Sequence, residues 1–127
     1  VHVNTNGITI NGASQITFDA AGDYNVVLEM VGKNTDSVDR TAFIWLRKNG
    51  TDLADTAIKM VLIKDSQVML AKDWLVNGIN ANDYIEVMFA LDGTNSGMSL
   101  EYTPAQTVPY ARPAVPSATI TVTPVGA

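Results

Sequence analysis

Short runs of alternating apolar and polar residues, each closed by a cluster of turn residues, constrain this chain more than any other feature. Tyr24–Met30 puts Tyr24, Val26, Leu28 and Met30 on one face and Asn25, Val27 and Glu29 on the other. That is the period of a half-buried strand. The run follows the short segment Gln15–Phe18 and the turn cluster Asp19-Ala20-Ala21-Gly22-Asp23. Thr41–Lys48 is rich in β-branched and aromatic residues and runs into Asn49-Gly50, the strongest short hairpin signal. Ala57–Ile63 and Val68–Val76 flank the polar turn Lys64-Asp65-Ser66, and Asn77–Asp83 links them to Tyr84–Leu91. In this last run Ile85, Val87, Phe89 and Leu91 alternate with Tyr84, Glu86, Met88 and Ala90. Met98–Tyr102 and Ser117–Thr123 complete the set. No window joins a helical period to helix caps, and Lys59–Leu70 comes nearest to one. The pattern predicts an all-β protein, a sandwich or barrel of about ten short antiparallel strands.

At 127 residues the chain suits a single domain. Residues 1–14 read as an N-terminal arm. Residues 103–117 carry Pro104, Pro109, Pro113 and Pro116. They read as an extended loop, because proline lacks the donor that a central strand needs. No run approaches the ~20 consecutive apolar residues of a membrane-spanning helix, and the start has no basic-then-apolar signal pattern. A soluble protein with no membrane partner is expected. Removal of an initiator methionine before a small residue would leave Val1 first, so the start suits a complete small gene product as well as an excised fragment of a longer protein.

Charge and residue types narrow the chemistry. There are 13 acidic and 8 basic residues, for a net charge of −5, and the basic ones are scattered. A phosphate backbone would meet net repulsion, so no nucleic-acid partner is expected. With no cysteine and one histidine, His2, thiolate and histidine metal sites are excluded. A Ser-His-Asp arrangement would have to depend on that one terminal imidazole. Asp36 with Asp39, Asn80 with Asn82 and Asp83, and Asp92-Gly93-Thr94-Asn95 form oxygen-rich loops. None matches a twelve-residue calcium loop, and Asn and Asp favour turns through their own side-chain hydrogen bonds. No carboxylate pair stands out for glycoside hydrolysis and no glycine-rich phosphate loop is present. The expectation is a non-enzymatic protein with no catalytic residues, no metal and no cofactor. Asn49-Gly50-Thr51 matches a glycosylation pattern, but the hairpin turn explains it.

Several segments follow one another in a recognisable order. Ile16-Thr-Phe-Asp-Ala-Ala-Gly-Asp-Tyr24 is a strand leading into a glycine-aromatic strand, and Ile44-Trp-Leu-Arg-Lys-Asn-Gly50 ends a strand on Lys-Asn-Gly. Trp74-Leu-Val-Asn-Gly-Ile-Asn-Ala-Asn-Asp-Tyr-Ile-Glu-Val87 is a strand, a turn and a further strand, and Ala118–Val122 is a final apolar strand. This order resembles the tumour-necrosis-factor-like jelly roll, in particular the globular head of complement and related proteins, from Gln15 to Thr123. The run Tyr102–Ser117, with Val-Pro-Tyr-Ala-Arg-Pro-Ala-Val-Pro, departs from the animal proteins. It looks like the version of the fold in structural proteins of tailed bacteriophages, among them capsid-decorating (cement) proteins and fibre tips. The resemblance implies a jelly-roll sandwich that assembles as a compact homotrimer.

It also lets strand faces be assigned. Ile44 and Leu46, and Ile85, Val87 and Phe89, are expected to point inward. Phe43, Trp45 and Arg47, with Glu86 and Met88, are expected on the other face. Large apolar residues gathered outside mark an interface, so Phe43, Trp45 and Met88 are expected between subunits of a trimer, with Arg47 and Glu86 as an ion pair there. A register shifted by one would exchange the two faces. In the proline-rich segment Tyr102, Tyr110 and Arg112 are of types enriched at binding surfaces, while the prolines themselves suit a loop that covers a sheet edge.

These readings lead to a virion structural protein at the capsid surface, a trimeric decoration or cement protein whose partner is the shell's major capsid protein. The arm Val1–Asn11 is expected at that contact. The alternative is the receptor-binding tip of a fibre that recognises host polysaccharide or protein. A secreted cytokine-like or lectin-like ligand and a sugar hydrolase follow in that order.

Overall fold

The computed structural model describes residues 8–10, 15–91, 98–100, 103–114 and 118–125. Among them lie ten strands and no helix: β1 (Ile8–Ile10), β2 (Ile16–Phe18), β3 (Gly22–Asn34), β4 (Arg40–Lys48), β5 (Thr51–Asp52), β6 (Ile58–Leu62), β7 (Ser66–Ile79), β8 (Tyr84–Leu91), β9 (Met98–Leu100) and β10 (Ala118–Val125). The pairings between these strands are all antiparallel. The expected all-β, antiparallel class is therefore the one observed.

One sheet runs β1-β2-β8-β4, with β5 and β6 end to end along the far edge of β4. The other has β3 at its centre, with β7 on one side and β10 and β9 on the other. The sheets share one core because each strand keeps the two-residue period. β2 contributes Ile16 and Phe18, β4 Ile44 and Leu46, and β8 Ile85. Facing them are Tyr24, Val26, Leu28 and Met30 of β3, Trp74, Val76 and Ile79 of β7, and Val122 of β10. The polar tips in this core are satisfied locally. Tyr24 donates its hydroxyl to Ala20 O at 2.8 Å, and Trp74 donates Nε1–H to Thr56 O at 2.8 Å.

Two strands run well past the expected bounds. β3 continues to Asn34 because Gly32 and Asn34 keep the inward alternation, although neither is a large apolar residue. At Gly32 an added Cβ would lie 3.1 Å from Leu62 Cδ2, so the absent side chain is what lets β6 approach. Asn34 is almost fully buried. Its Nδ2 donates to Val38 O (3.1 Å) and Leu62 O (2.9 Å), and its Oδ1 accepts the Asp36 N–H (2.9 Å). β7 is lengthened to match, pairing with β3 from Ser66 to Ile79. β10 passes through Pro124, which is tolerated because β10 is flanked by β3 alone among the described strands.

At one end of the sandwich the Asp83 carboxylate joins two turns. Asn49 (φ 50°) and Gly50 (φ 82°) form a turn with both central residues at positive φ, as a two-residue hairpin requires. Asp83 Oδ1 accepts Asn49 Nδ2–H at 2.8 Å, and Oδ2 accepts the Asn80 N–H at 2.8 Å. Lys48 Nζ stands 3.9 Å from Oδ2, and Asn49 Oδ1 accepts the Tyr84 N–H at 3.0 Å. The Asp83 backbone completes the junction by accepting the Phe18 N–H at 3.0 Å.

Two outcomes follow. The Asn34→Ala variant removes the donor to the buried Leu62 carbonyl and to the part-buried Val38 carbonyl and should lose about 1–3 kcal/mol in urea unfolding; an unchanged midpoint would refute the clasp. The bonds from Asn80 and Asn49, helped by the Lys48 charge, hold the Asp83 carboxyl below the usual carboxylate range. Its contribution is therefore present above the ordinary value and lost as pH falls through the depressed one. An Asp83→Asn variant should be the less stable protein at neutral pH, and the gap should close below about pH 4. A gap that persists in acid would contradict this account.

Candidate interaction surface

The outward face of the six-stranded sheet is built by the residues between the core positions of β4 and β8. Register pairs Trp45 with Met88, Arg47 with Glu86, and Phe43 with Ala90. Phe43 also lies beside Lys59 of β6, and Thr41 beside Val61. The five residues singled out from the sequence, Phe43, Trp45, Arg47, Glu86 and Met88, thus occupy one continuous patch on adjacent strands. Phe43 and Val61 are exposed, while Trp45 and Met88 are half-buried.

Trp45 and Arg47 are held by a residue that the sequence reading did not single out. Trp45 Nε1–H and Arg47 Nε–H both donate to Asp52 Oδ1, at 2.8 and 2.9 Å. Within the chain Arg47 therefore makes its ion pair with Asp52, while Glu86 is its neighbour in register on the other side. The signal was present in the chain: a two-residue turn at Asn49-Gly50 fixes the register and sets Arg47 opposite Asp52. The hydrogen bond from Trp45, then that from Arg47, and the guanidinium charge hold the Asp52 carboxyl below its usual range. An exposed pair of this kind adds little stability. What it does is fix an indole and a guanidinium in one orientation on the surface.

Phe89 differs from expectation in degree. It lies on the inner side with Ile44 and Val87 but remains 42% exposed. β2 pairs with β8 only at Ile85 and Tyr84, so beyond that point the sandwich opens. The result is an apolar cleft of about 240 Å³ between the sheets, lined on the other side by Leu28, Met30, Ala118 and Ile120. Apolar residues are not confined to one outer face either. Val27, Val31, Met69 and Leu75 lie on the outward side of the four-stranded sheet, next to the row Thr119, Thr121 and Thr123.

The three residues proposed for partner binding divide. Tyr102 lies outside the described residues. Arg112 is engaged within its own loop: Nη1 donates to Pro104 O (3.0 Å) and Pro113 O (3.2 Å), and Nη2 to Gln106 Oε1 (3.2 Å). Gln106 and Arg112 also exchange backbone hydrogen bonds, and Gln106 Nε2 donates to Tyr110 O. This clasp presents Val108 (79% exposed) and Tyr110 (63% exposed) around a cis Val108-Pro109 peptide bond. His2 and the group Asp92–Asn95 fall outside the described residues, and so does most of the N-terminal arm; its residues 8–10 pair with β2. Among the described residues no cluster of three or more His, Asp or Glu side chains could hold a metal ion.

Removing the Asp52 carboxylate should free the Trp45 indole. Asp52→Ala is expected to make one of the two tryptophans more accessible to a neutral fluorescence quencher, with Trp74, buried in the core, unaffected. Wild type should reach the same state only below the ordinary carboxylate range, about pH 4; equal quenching of variant and wild type at neutral pH would remove the anchoring role. The chain matches no protein-family model, and no curated protein is similar to it.

Proposed function

We propose that this chain is a non-enzymatic structural protein of a tailed-bacteriophage virion, a jelly-roll subunit that assembles as a homotrimer and decorates the capsid. The observation that carries the reading is the strand order, β2-β8-β4-β6 packed against β10-β3-β7. It is consistent with a double-sheet jelly roll, the fold implied by the order of the sequence segments. The aromatic patch of Phe43, Trp45 and Met88 adds to it, because a subunit with such a face gains by burying it against another. A trimer bound only to the assembled shell stabilises that shell by linkage, and the major capsid protein is the partner this role requires.

A second reading, the receptor-binding tip of a fibre, is favoured by one feature. The clasped loop holds Tyr110 outward in a fixed setting, as suits an aromatic residue that meets a sugar or protein surface.

Quantitative mass spectrometry of purified particles separates the two. Decoration predicts copies comparable with the shell subunit; a handful per particle would indicate a fibre tip, and none would end the virion reading. The interface has its own test. Trp45→Asp should convert the trimer to monomer by light scattering, and a normal trimer from that variant would remove this face from the assembly. If Leu75→Asp disrupts the trimer and Trp45→Asp does not, the four-stranded sheet forms the contact.

A further inference from the structure

Asn-Gly is the dipeptide at which a chain most readily deamidates, because the glycine nitrogen is unhindered when it attacks the neighbouring carboxamide. Two such pairs lie among the described residues, Asn49-Gly50 and Asn77-Gly78, and they sit in opposite situations.

At Asn49 the carboxamide is held at both ends. Its Nδ2 donates to Asp83 and its Oδ1 accepts the Tyr84 N–H, so the group to be attacked is held in place. Asn77 is exposed, and its side chain makes no hydrogen bond to another described residue. Here the nitrogen is what is held. β3 and β7 change register between Gly22↔Ile79 and Tyr24↔Val76. Asn77 and Gly78 on β7 therefore oppose the single residue Asp23 on β3. This is a bulge, with Gly78 at φ 70°, the left-handed setting that favours glycine. A bulge releases an amide from the ladder, and the released Gly78 N–H donates to Asp23 Oδ1 at 2.9 Å. Nothing lies within 4 Å of the point where a Gly78 Cβ would be, so the site is open to water.

We propose that, of the two Asn-Gly pairs among the described residues, Asn77-Gly78 is the one that deamidates first, and that the Asp23 carboxylate guards it by holding the attacking nitrogen. When that bond opens, the Gly78 nitrogen gives up its proton to solvent base and attacks Asn77 Cγ. The new N–Cγ bond closes a succinimide as the carboxamide nitrogen leaves as ammonia. Water then opens either ring carbonyl, giving aspartate or isoaspartate. The net change is carboxamide plus water to carboxylate plus ammonium, with no oxidant or cofactor. A carboxylate is far too weak a base to take an amide proton, and its negative charge opposes the amide anion the attack requires. Asp23 therefore slows the step.

The test is peptide mapping by mass spectrometry of the full chain aged in mildly alkaline buffer. Wild type should deamidate at Asn77 before Asn49. Asp23→Ala should speed Asn77 by about tenfold, the order of one hydrogen bond to a charged group, and leave Asn49 unchanged. Asp23→Asn keeps an acceptor and should speed it less, and Asp73→Ala on the same strand should leave both sites alone. An unchanged or slower rate at Asn77 in Asp23→Ala would overturn the proposal. So would a parallel rise at Asn49, which would mean general loosening, or a wild type that ages first at Asn49.

Discussion

Burial of one face of β3 is the constraint on which the rest of the molecule depends. This strand carries every second residue from Tyr24 to Asn34 into the space between the sheets, and it is the strand that β7, β9 and β10 pair with. A shift of its register by one residue would send Tyr24, Val26, Leu28 and Met30 to solvent and bring Glu29 and Lys33 inside, so the pairing is strongly specified. The other sheet is then placed by the residues that meet this face, with Phe18 against Tyr24 at a ring separation of 4.5 Å. Positions that cannot contribute bulk are used differently: Gly32 admits Leu62, and Asn34 fastens the loop beyond it.

Much of this could be read from the chain because two-residue periodicity is a local property. Tyr24, Val26 and Leu28, and Ile44 and Leu46, announce their face without knowledge of their partners, and Asn49-Gly50 announces its turn. What could not be read depended on distant residues. The extension of β3 through Gly32 and Asn34 is decided by Leu62, thirty or so positions away by the loop that must close. The exposure of Phe89 is decided by where β2 stops pairing, which no pattern within β8 reports. Arg112 has the composition of a binding residue, but its donors are directed to Pro104, Gln106 and Pro113 of its own loop. Asp52 was within reach of a register argument, since the hairpin turn alone sets it beside Arg47.

The surface patch and the loop clasp follow one physical logic. A side chain that ends in a donor is oriented by an acceptor fixed elsewhere on a rigid element. Trp45 and Arg47 converge on one oxygen of Asp52, and the tip around Tyr110 is shaped by Gln106 and Arg112. Ordering these groups beforehand lowers the entropy lost when a surface is covered. This bears on the trimer and the fibre-tip readings alike.

The Asn34 clasp has a consequence of another kind. It is uncharged, buried and noncovalent, in a chain without cysteine. Screening by salt acts on charges, so the Asn34 bonds themselves should respond far less to ionic strength than the Arg40–Asp36 ion pair that closes the same loop. Glutathione and oxidants have nothing to act on there either. The junction therefore makes the same contacts in a reducing cell interior and an oxidising exterior.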